Sequence, residues 1–306
     1  MKREATQVAA PGAPVQRLPH VSARQLATLR GFFTFTQRLS PRLAAAAAFR
    51  LFLRTFRHPL RAEDGAILAR ATRHELRAGI DSIVVYEWAG AGPTAIILHG
   101  WGSSAARFTL LAQALHARGW RVLAVDAPGH GASGSNSSSL PQFMAALDEV
   151  VARCGPPRAL IGHSLGALAI ACRHTGGPPA WARDLAAIVL ISMPVGAEYL
   201  IRKYIEALGL SAATEQRLLQ RFRARFHAEP RDFQTMPGAS RATARLLLVH
   251  DRQDDIVPYD HSVQLHRQVP GAVFLGTDGQ GHSKLTRDTT TIARIVEFID
   301  SSARTP

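Results

Sequence analysis

The sequence predicts an α/β fold, a mostly parallel sheet with helices on both faces. Three observations predict it. Runs such as AIIL (95–98), RVLAVD (121–126), RALIGH (158–163), AAIVLIS (186–192) and RLLLVH (245–250) are apolar almost throughout, so they lack the in–out alternation of a strand with one wet face and read as strands buried on both sides. Helical patterns separate several of them, as in LPQFMAALDEVVARC (140–154) and LGALAIACRH (165–174), and strands alternating with helices build parallel sheets. One block, 197–240, breaks the alternation with EYLIRKYIEALGL and TEQRLLQRFRARFH and no strand between them, which predicts a small helical cap inserted over the sheet.

Residues 1–20, with Pro11, Pro14 and Pro19 among small and polar residues, read as a disordered extension. Residues 21–64 form an N-terminal helical segment. Within it Phe49, Phe52, Leu53 and Phe56 recur at helical spacing from Pro41 to Phe56, with Arg50, Arg54 and Arg57 on another stripe. Such a helix either docks on the folded core or lies on an anionic membrane, and docking is the expectation, because three exposed phenylalanines would form a sticky patch. GAILARATR and DSIVVYEWA then read as the two strands of a hairpin. The core is expected over 65–196 and 241–306, ending with the helix SVQLHRQV, the strand AVFLGT and the helix TIARIVEFI.

Of 306 residues, 46% are hydrophobic, enough for a sizeable core. The net charge is +13, but up to Arg77 there are fourteen basic residues against four acidic ones, so ten of the thirteen charges sit in the first quarter. No zinc-ligand spacing, basic helix–turn–helix or aromatic-rich strand accompanies them, so specific nucleic-acid binding is not expected. A basic tail or weak membrane-surface contact through the N-terminal helix is. Cys154 and Cys172 read as buried thiols in a reducing compartment. No apolar run reaches the roughly 18 residues of a membrane span, and the start lacks a signal peptide's apolar middle. The expectation is cytoplasmic.

Ligands bind such sheets at the carboxyl ends of the strands, and the strand ends here carry the informative residues. Gly162-His163-Ser164-Leu165-Gly166 stands between a strand and a helix; there flanking glycines allow the sharp turn that pushes a serine hydroxyl out at the helix N-terminus. Alone, the pattern also suits a glycine-rich turn with a capping serine. A serine nucleophile needs an imidazole base, and the imidazole needs a carboxylate to fix its tautomer. VHDRQDDIVP supplies Asp251, Asp254 and Asp255; downstream lie His261, His266 and His282. His261 and His266 fall in a helical pattern and read as surface residues, whereas His282 sits in GQGHS, where glycines free the backbone to aim the ring.

Together these motifs resemble the α/β-hydrolase fold family from about Gly65 onward, in the serine hydrolase group with a His-Gly-x-Gly oxyanion loop. His99-Gly100-Trp101-Gly102 resembles that loop, the stretch from Asp126 to Ser133 resembles the family's turn after the next strand, and Ser164 resembles its nucleophile elbow. The resemblance implies a Ser164–Asp254–His282 triad in the family's order, with the backbone N–H groups of Trp101 and Leu165 as oxyanion donors. Where the family commonly has Gly-x-x-Asp-x-x-Val-Pro, this chain has Asp251 in the glycine's place. Asp254 therefore falls on the acid, Asp251 is the alternative and otherwise braces the loop, and Asp255 reads as exposed. His99 and His130 read as structural. His163, the elbow's variable residue, is expected to face away; it and the Trp101 side chain complete the candidate substrate-binding set.

The implied reaction is hydrolysis of a small-molecule carboxylic ester or thioester through an acyl-enzyme, with no metal or cofactor. A C–C bond hydrolase, an amidase or a catalytically silent binding protein of the same fold are the alternatives. Ser164 argues against dehalogenases and epoxide hydrolases, whose elbow residue is aspartate. Tyr199, Leu200, Tyr204, Ile205, Leu208 and Leu210 are candidates either for an apolar pocket lining from the cap or for ordinary core contacts.

Overall fold

The computed structural model describes residues 21–175, 179–234 and 244–304; the expected extension at 1–20 and residues 235–240 of the cap block lie outside them. Eight strands, β1 (Thr72–Ala78), β2 (Asp81–Trp88), β3 (Thr94–Leu98), β4 (Arg121–Asp126), β5 (Ala159–His163), β6 (Ala187–Ile191), β7 (Arg245–Asp251) and β8 (Val273–Thr277), form one sheet in the order β1-β2-β4-β3-β5-β6-β7-β8. β2 runs antiparallel to both neighbours, and every other pair is parallel. The helices are α1 (Ala23–Leu39), α2 (Pro41–Leu53), α3 (Ala62–Leu68), α4 (Thr109–His116), α5 (Leu140–Cys154), α6 (Leu165–Arg173), α7 (Ala197–Leu208), α8 (Ala212–Phe226), α9 (Asp260–Gln268), α10 (Gly281–Lys284) and α11 (Thr289–Arg304).

The apolar strands are buried on both faces, as their composition predicts. Ile96 and Leu98 of β3 face a core shared with α5, α6 and α9, while Ala95 and Ile97 face one shared with α3, α4 and α11, because successive strand side chains point to opposite sides. Local chemistry sets the helix ends: Ser139 caps α5 by accepting the Gln142 N–H, and Gly155 stops it at φ 92°.

A third core stands apart from the sheet. Phe33 of α1 and Ala44, Ala48 and Phe49 of α2 pack with Ile201, Tyr204 and Leu208 of α7 and Leu218 and Phe222 of α8. Hydrogen bonds fasten the two pairs: the Tyr204 hydroxyl donates to the Ala48 carbonyl at 2.7 Å and Arg30 Nε to the Ala207 carbonyl at 2.6 Å. The N-terminal helices thus rest on α7 and α8, which separate β6 from β7 in the chain. Beyond α2 the chain turns extended and pairs Arg54 with Ser137, and the Arg57 guanidinium donates to the carbonyls of Gly131, Ser133 and Ser135.

Three sequence expectations shift. GAILARATR is not a strand: its first half closes α3, whose first turn places Glu63 and Asp64 where a helix N-terminus favours negative charge, and β1 begins only at Thr72. The helix expected to reach Phe56 ends at Leu53, leaving Phe56 40% exposed. Cys154 and Cys172 are free and half-buried, not fully buried; burial still pushes the Cys172 thiol up to about 12.

Candidate active site

Ser164 stands between β5 and α6 with φ 51° and ψ −117°, a conformation costly for a residue with a Cβ and held only by its surroundings. Its two glycines are what permit the turn. A Cβ on Gly162 would come within 2.5 Å of the Ala167 Cα, and one on Gly166 would overlap the carbonyls of Leu98 and His99. The Ser164 N–H donates to the Ile191 carbonyl at 2.8 Å, tying the elbow to the end of β6.

The end of β7 answers with a carboxylate. Asp254 Oδ2 accepts from His282 Nδ1 at 2.8 Å, and Oδ1 accepts the N–H groups of Ile256 and Val257 at 2.9 and 2.8 Å. Because an ionised carboxylate only accepts, the proton facing Asp254 sits on His282 Nδ1, so that in the neutral ring Nε2 is the acceptor. The Asp254 side chain is wholly buried. Burial works to raise its pKa, but hydrogen bonds from His250, His282 and the Val257 amide outweigh it and hold the acid far below the usual carboxylate range. His250, which the sequence reading did not single out, is a second donor: its Nε2 lies 3.2 Å from Asp254 Oδ2 and 3.0 Å from the Val257 carbonyl. Ser262 meets its Nδ1 at 2.7 Å.

Asp251 performs a different task. Oδ1 accepts the Gln253 N–H at 2.9 Å, while Oδ2 accepts the Thr277 hydroxyl at 2.7 Å and the Gln280 N–H at 3.0 Å. It therefore straps the end of β7 to the turn that carries His282. Asp255 is exposed.

The loop after β3 completes the site. His99 Nδ1 donates to the Gly100 carbonyl at 2.7 Å, and its Nε2 accepts the Ala127 N–H at 3.0 Å, so this buried ring fixes the loop against the turn after β4. Asp126 accepts the N–H groups of Ala105 and Ala132; its burial raises it to about 6 against the pull of those two bonds. A Cβ on Gly100 would come within 2.8 Å of the Ser164 Cβ, so only glycine lets the loop approach the elbow. Among the described residues neither the Trp101 nor the Leu165 N–H is paired with a backbone carbonyl. A cavity of about 500 Å³ opens over Ser164 and His282, with Trp101 and His163 also in its wall.

Two sequence readings change here, and one open alternative closes. His163 does not face away: its ring lies 4.8 Å from that of His282, its Nε2 donates to the His282 carbonyl at 2.9 Å, and burial drives it down to about 3. His261 is no surface residue either. It accepts the Val195 N–H at 3.3 Å and packs edge-on against Tyr199, whereas His266 is exposed and stacks on Phe274. None of the six apolar cap candidates lines the cavity; Tyr204, Ile205 and Leu208 are spent on the third core. Among the described residues no group of His, Cys, Asp and Glu could hold a metal ion, and no helix is long and apolar enough to cross a membrane.

An elbow serine, a carboxylate–imidazole pair and a glycine-rich loop at adjoining strand ends of this sheet are the layout of an α/β-hydrolase. The chain belongs to the alpha/beta hydrolase family, whose sequence profile matches residues 95–297. It is 42% identical over 84 residues to a pimeloyl-[acyl-carrier protein] methyl ester esterase of Chromobacterium violaceum, a match covering 27% of this chain and 31% of that protein's own length. Among solved structures it is similar to an esterase from Rhodococcus sp. ECU1013, at 22% identity and TM-score 0.56 over 75% of this chain and 99% of the other. A lipase-like protein of Acinetobacter baumannii AYE is similar at 17% identity and TM-score 0.59, over 81% and 99%. At such identities the structural likeness concerns the fold alone.

Proposed function

We propose that the chain hydrolyses a carboxylic ester or thioester through an acyl-enzyme on Ser164. The observation that carries the reading is the Asp254–His282 pair, bonded at 2.8 Å, opening onto the same cavity as the strained elbow serine. The Nε2 of the neutral His282 ring takes the Ser164 proton as the hydroxyl attacks the carbonyl, and Asp254 steadies the imidazolium. The Trp101 and Leu165 amides receive the oxyanion, the latter at the positive end of α6. His282 then protonates the leaving alcohol or thiol, and water, activated by the same ring, releases the acid. Similarity to a methyl ester esterase favours an ester over an amide or a C–C bond. The catalytic core in this reading is 65–196 with 241–306, and 197–240 is an insertion that carries the helices of 21–64. A fluorophosphonate probe should label the protein stoichiometrically and leave Ser164→Ala unlabelled; an unlabelled parent protein would instead make this a silent, binding member of the family.

A second reading concerns location. Phe32, Phe35 and Leu39 of α1 and Leu43 of α2 are 49, 64, 71 and 71% exposed, and between residues 21 and 61 there are eight arginines and no acidic residue. Exposed apolar side chains flanked by arginine suit the interface of an anionic bilayer. A second copy of so basic a face would be repelled.

A further inference from the structure

Arg107 lines the cavity that holds Ser164 and His282. Its Nε donates to Ser103 Oγ at 3.2 Å and its Nη1 to the Ser283 carbonyl at 3.3 Å. Both acceptors are neutral, although a guanidinium has five N–H donors and the geometry to clasp two anionic oxygens. The carboxylates nearby are committed elsewhere: Asp64 accepts from Arg287 and from Thr109, each at 2.7 Å, and Glu63 meets Arg287 at 2.9 Å and Arg61 at 3.6 Å. Three guanidiniums thus share two carboxylates, and among the described residues Arg107 is the one of the three with no carboxylate in contact. Burial and repulsion by Arg61 and Arg287 lower its pKa, with Asp64 only partly opposing. Of the other charged groups in the cavity wall, Lys284 is an exposed cation at the rim and Asp255 is the single exposed carboxylate.

The position of this charge along the reaction path follows from Ser283, the residue after His282. In acyl transfer the histidine that takes the serine proton delivers it to the leaving group, so the leaving group lies on the His282 side of the scissile bond. We infer that Arg107 is a specificity residue for esters or thioesters whose leaving alcohol or thiol bears an anionic group, a carboxylate or a phosphate. This rests on the proposed triad and adds the substrate's charge and the side of the bond on which it sits.

The test compares butyrate esters of 2-hydroxyethyl phosphate, 4-hydroxybutyrate and neutral 1-pentanol, with monoethyl glutarate, whose carboxylate is on the acyl side, as the fourth arm. At low salt the anionic-alcohol esters should exceed the pentyl ester in kcat/KM by about tenfold or more, the effect of one charge-assisted contact. The ratio should fall toward one in Arg107→Gln, survive in part in Arg107→Lys, and shrink as ionic strength rises. The relative rates of the phosphate and carboxylate arms say which anion is meant. Equal or faster turnover of the pentyl ester by the parent protein overturns the inference, as does a ratio that persists in Arg107→Gln; preference for monoethyl glutarate alone overturns its placement on the leaving group. Loss of pentyl ester turnover in Ser164→Ala reports on the triad separately. Calorimetric titration of Ser164→Ala with 2-hydroxyethyl phosphate requires no catalysis at all. Binding abolished by adding Arg107→Gln supports the subsite, and no binding before that change is made refutes it.

Discussion

Asp251 and Asp254 lie three residues apart with buried side chains, yet Asp254 faces the imidazoles of His282 and His250 and Asp251 a ring of neutral donors. Replacing Asp254 by Asn would offer His282 Nδ1 an amide that can hold the wrong tautomer, and kcat should fall by about 10⁴, the loss measured for the equivalent change in a chymotrypsin-type protease. Asp251→Asn should cost about 1–3 kcal/mol of stability through its strap on Thr277 and Gln280, with a far smaller loss of kcat. Kinetics on both variants together with their melting temperatures check the assignment, and reversed effects would make Asp251 the acid. The residues of the proposed triad stood out in the sequence because serine, acid and histidine each follow a short apolar run, but the donors around them did not. Nothing in VHDRQDD tells which carboxylate meets a ring and which meets three N–H or O–H groups, since that depends on where the β8 turn passes. His250 was invisible for the same reason: in sequence it is the last residue of an apolar strand, and only the fold folds Asp254 back beneath it.

Helix α2 exemplifies how far patterns reach at the scale of elements. Its phenylalanine spacing announced an amphipathic helix, and Phe49 is 9% exposed, but its partners are α7 and α8, more than 140 residues downstream, and spacing within one helix cannot name them. α1 and α4 were not singled out. α4 is eight residues long, too short to establish a period, and α1 buries Leu26 and Phe33, half-buries Leu29 and leaves Phe32, Phe35 and Leu39 in solvent. GAILARATR misled because a short apolar stretch does not distinguish strand from helix. Removing residues 1–58 should lower the melting temperature and solubility by uncovering Ile201, Tyr204 and Leu208, and Tyr204→Phe alone should cost about 1 kcal/mol for the hydroxyl on Ala48; thermal denaturation reads both. Full-length protein should sediment with phosphatidylglycerol vesicles and not with phosphatidylcholine, and Phe35→Ser with Leu39→Ser should release it by tenfold or more. Retention by both lipids alike, or by neither, would remove the membrane reading.

Across the whole molecule, buried histidines set the response to acid. His163 is held down to about 3 and His261 to about 4, each chiefly by burial, against about 6.5 in an unfolded chain. The unfolded state therefore binds these protons first, so stability is full above pH 6.5 and is lost as pH falls from there toward the folded values, by about 2 kcal/mol for His163 alone by pH 5. Asp126 acts in the opposite sense: with its folded value near 6, the native state takes up a proton before the unfolded one does and recovers part of that loss. Asp126 regains less over that range than the two imidazoles lose, so the melting temperature should drop between pH 7 and pH 5, and the drop should shrink in His163→Phe; a curve flat over that range would overturn the account. The third core has one more implication, for transplantation. The segment between β6 and β7 is where relatives of one fold could be expected to exchange parts, yet α7 and α8 here have their apolar faces covered by helices that enter the chain before β1. A chimera that borrowed 197–226 alone would carry an orphaned hydrophobic face into its new host, and this chain trimmed to the family-matched span 95–297 would lose the cover for it.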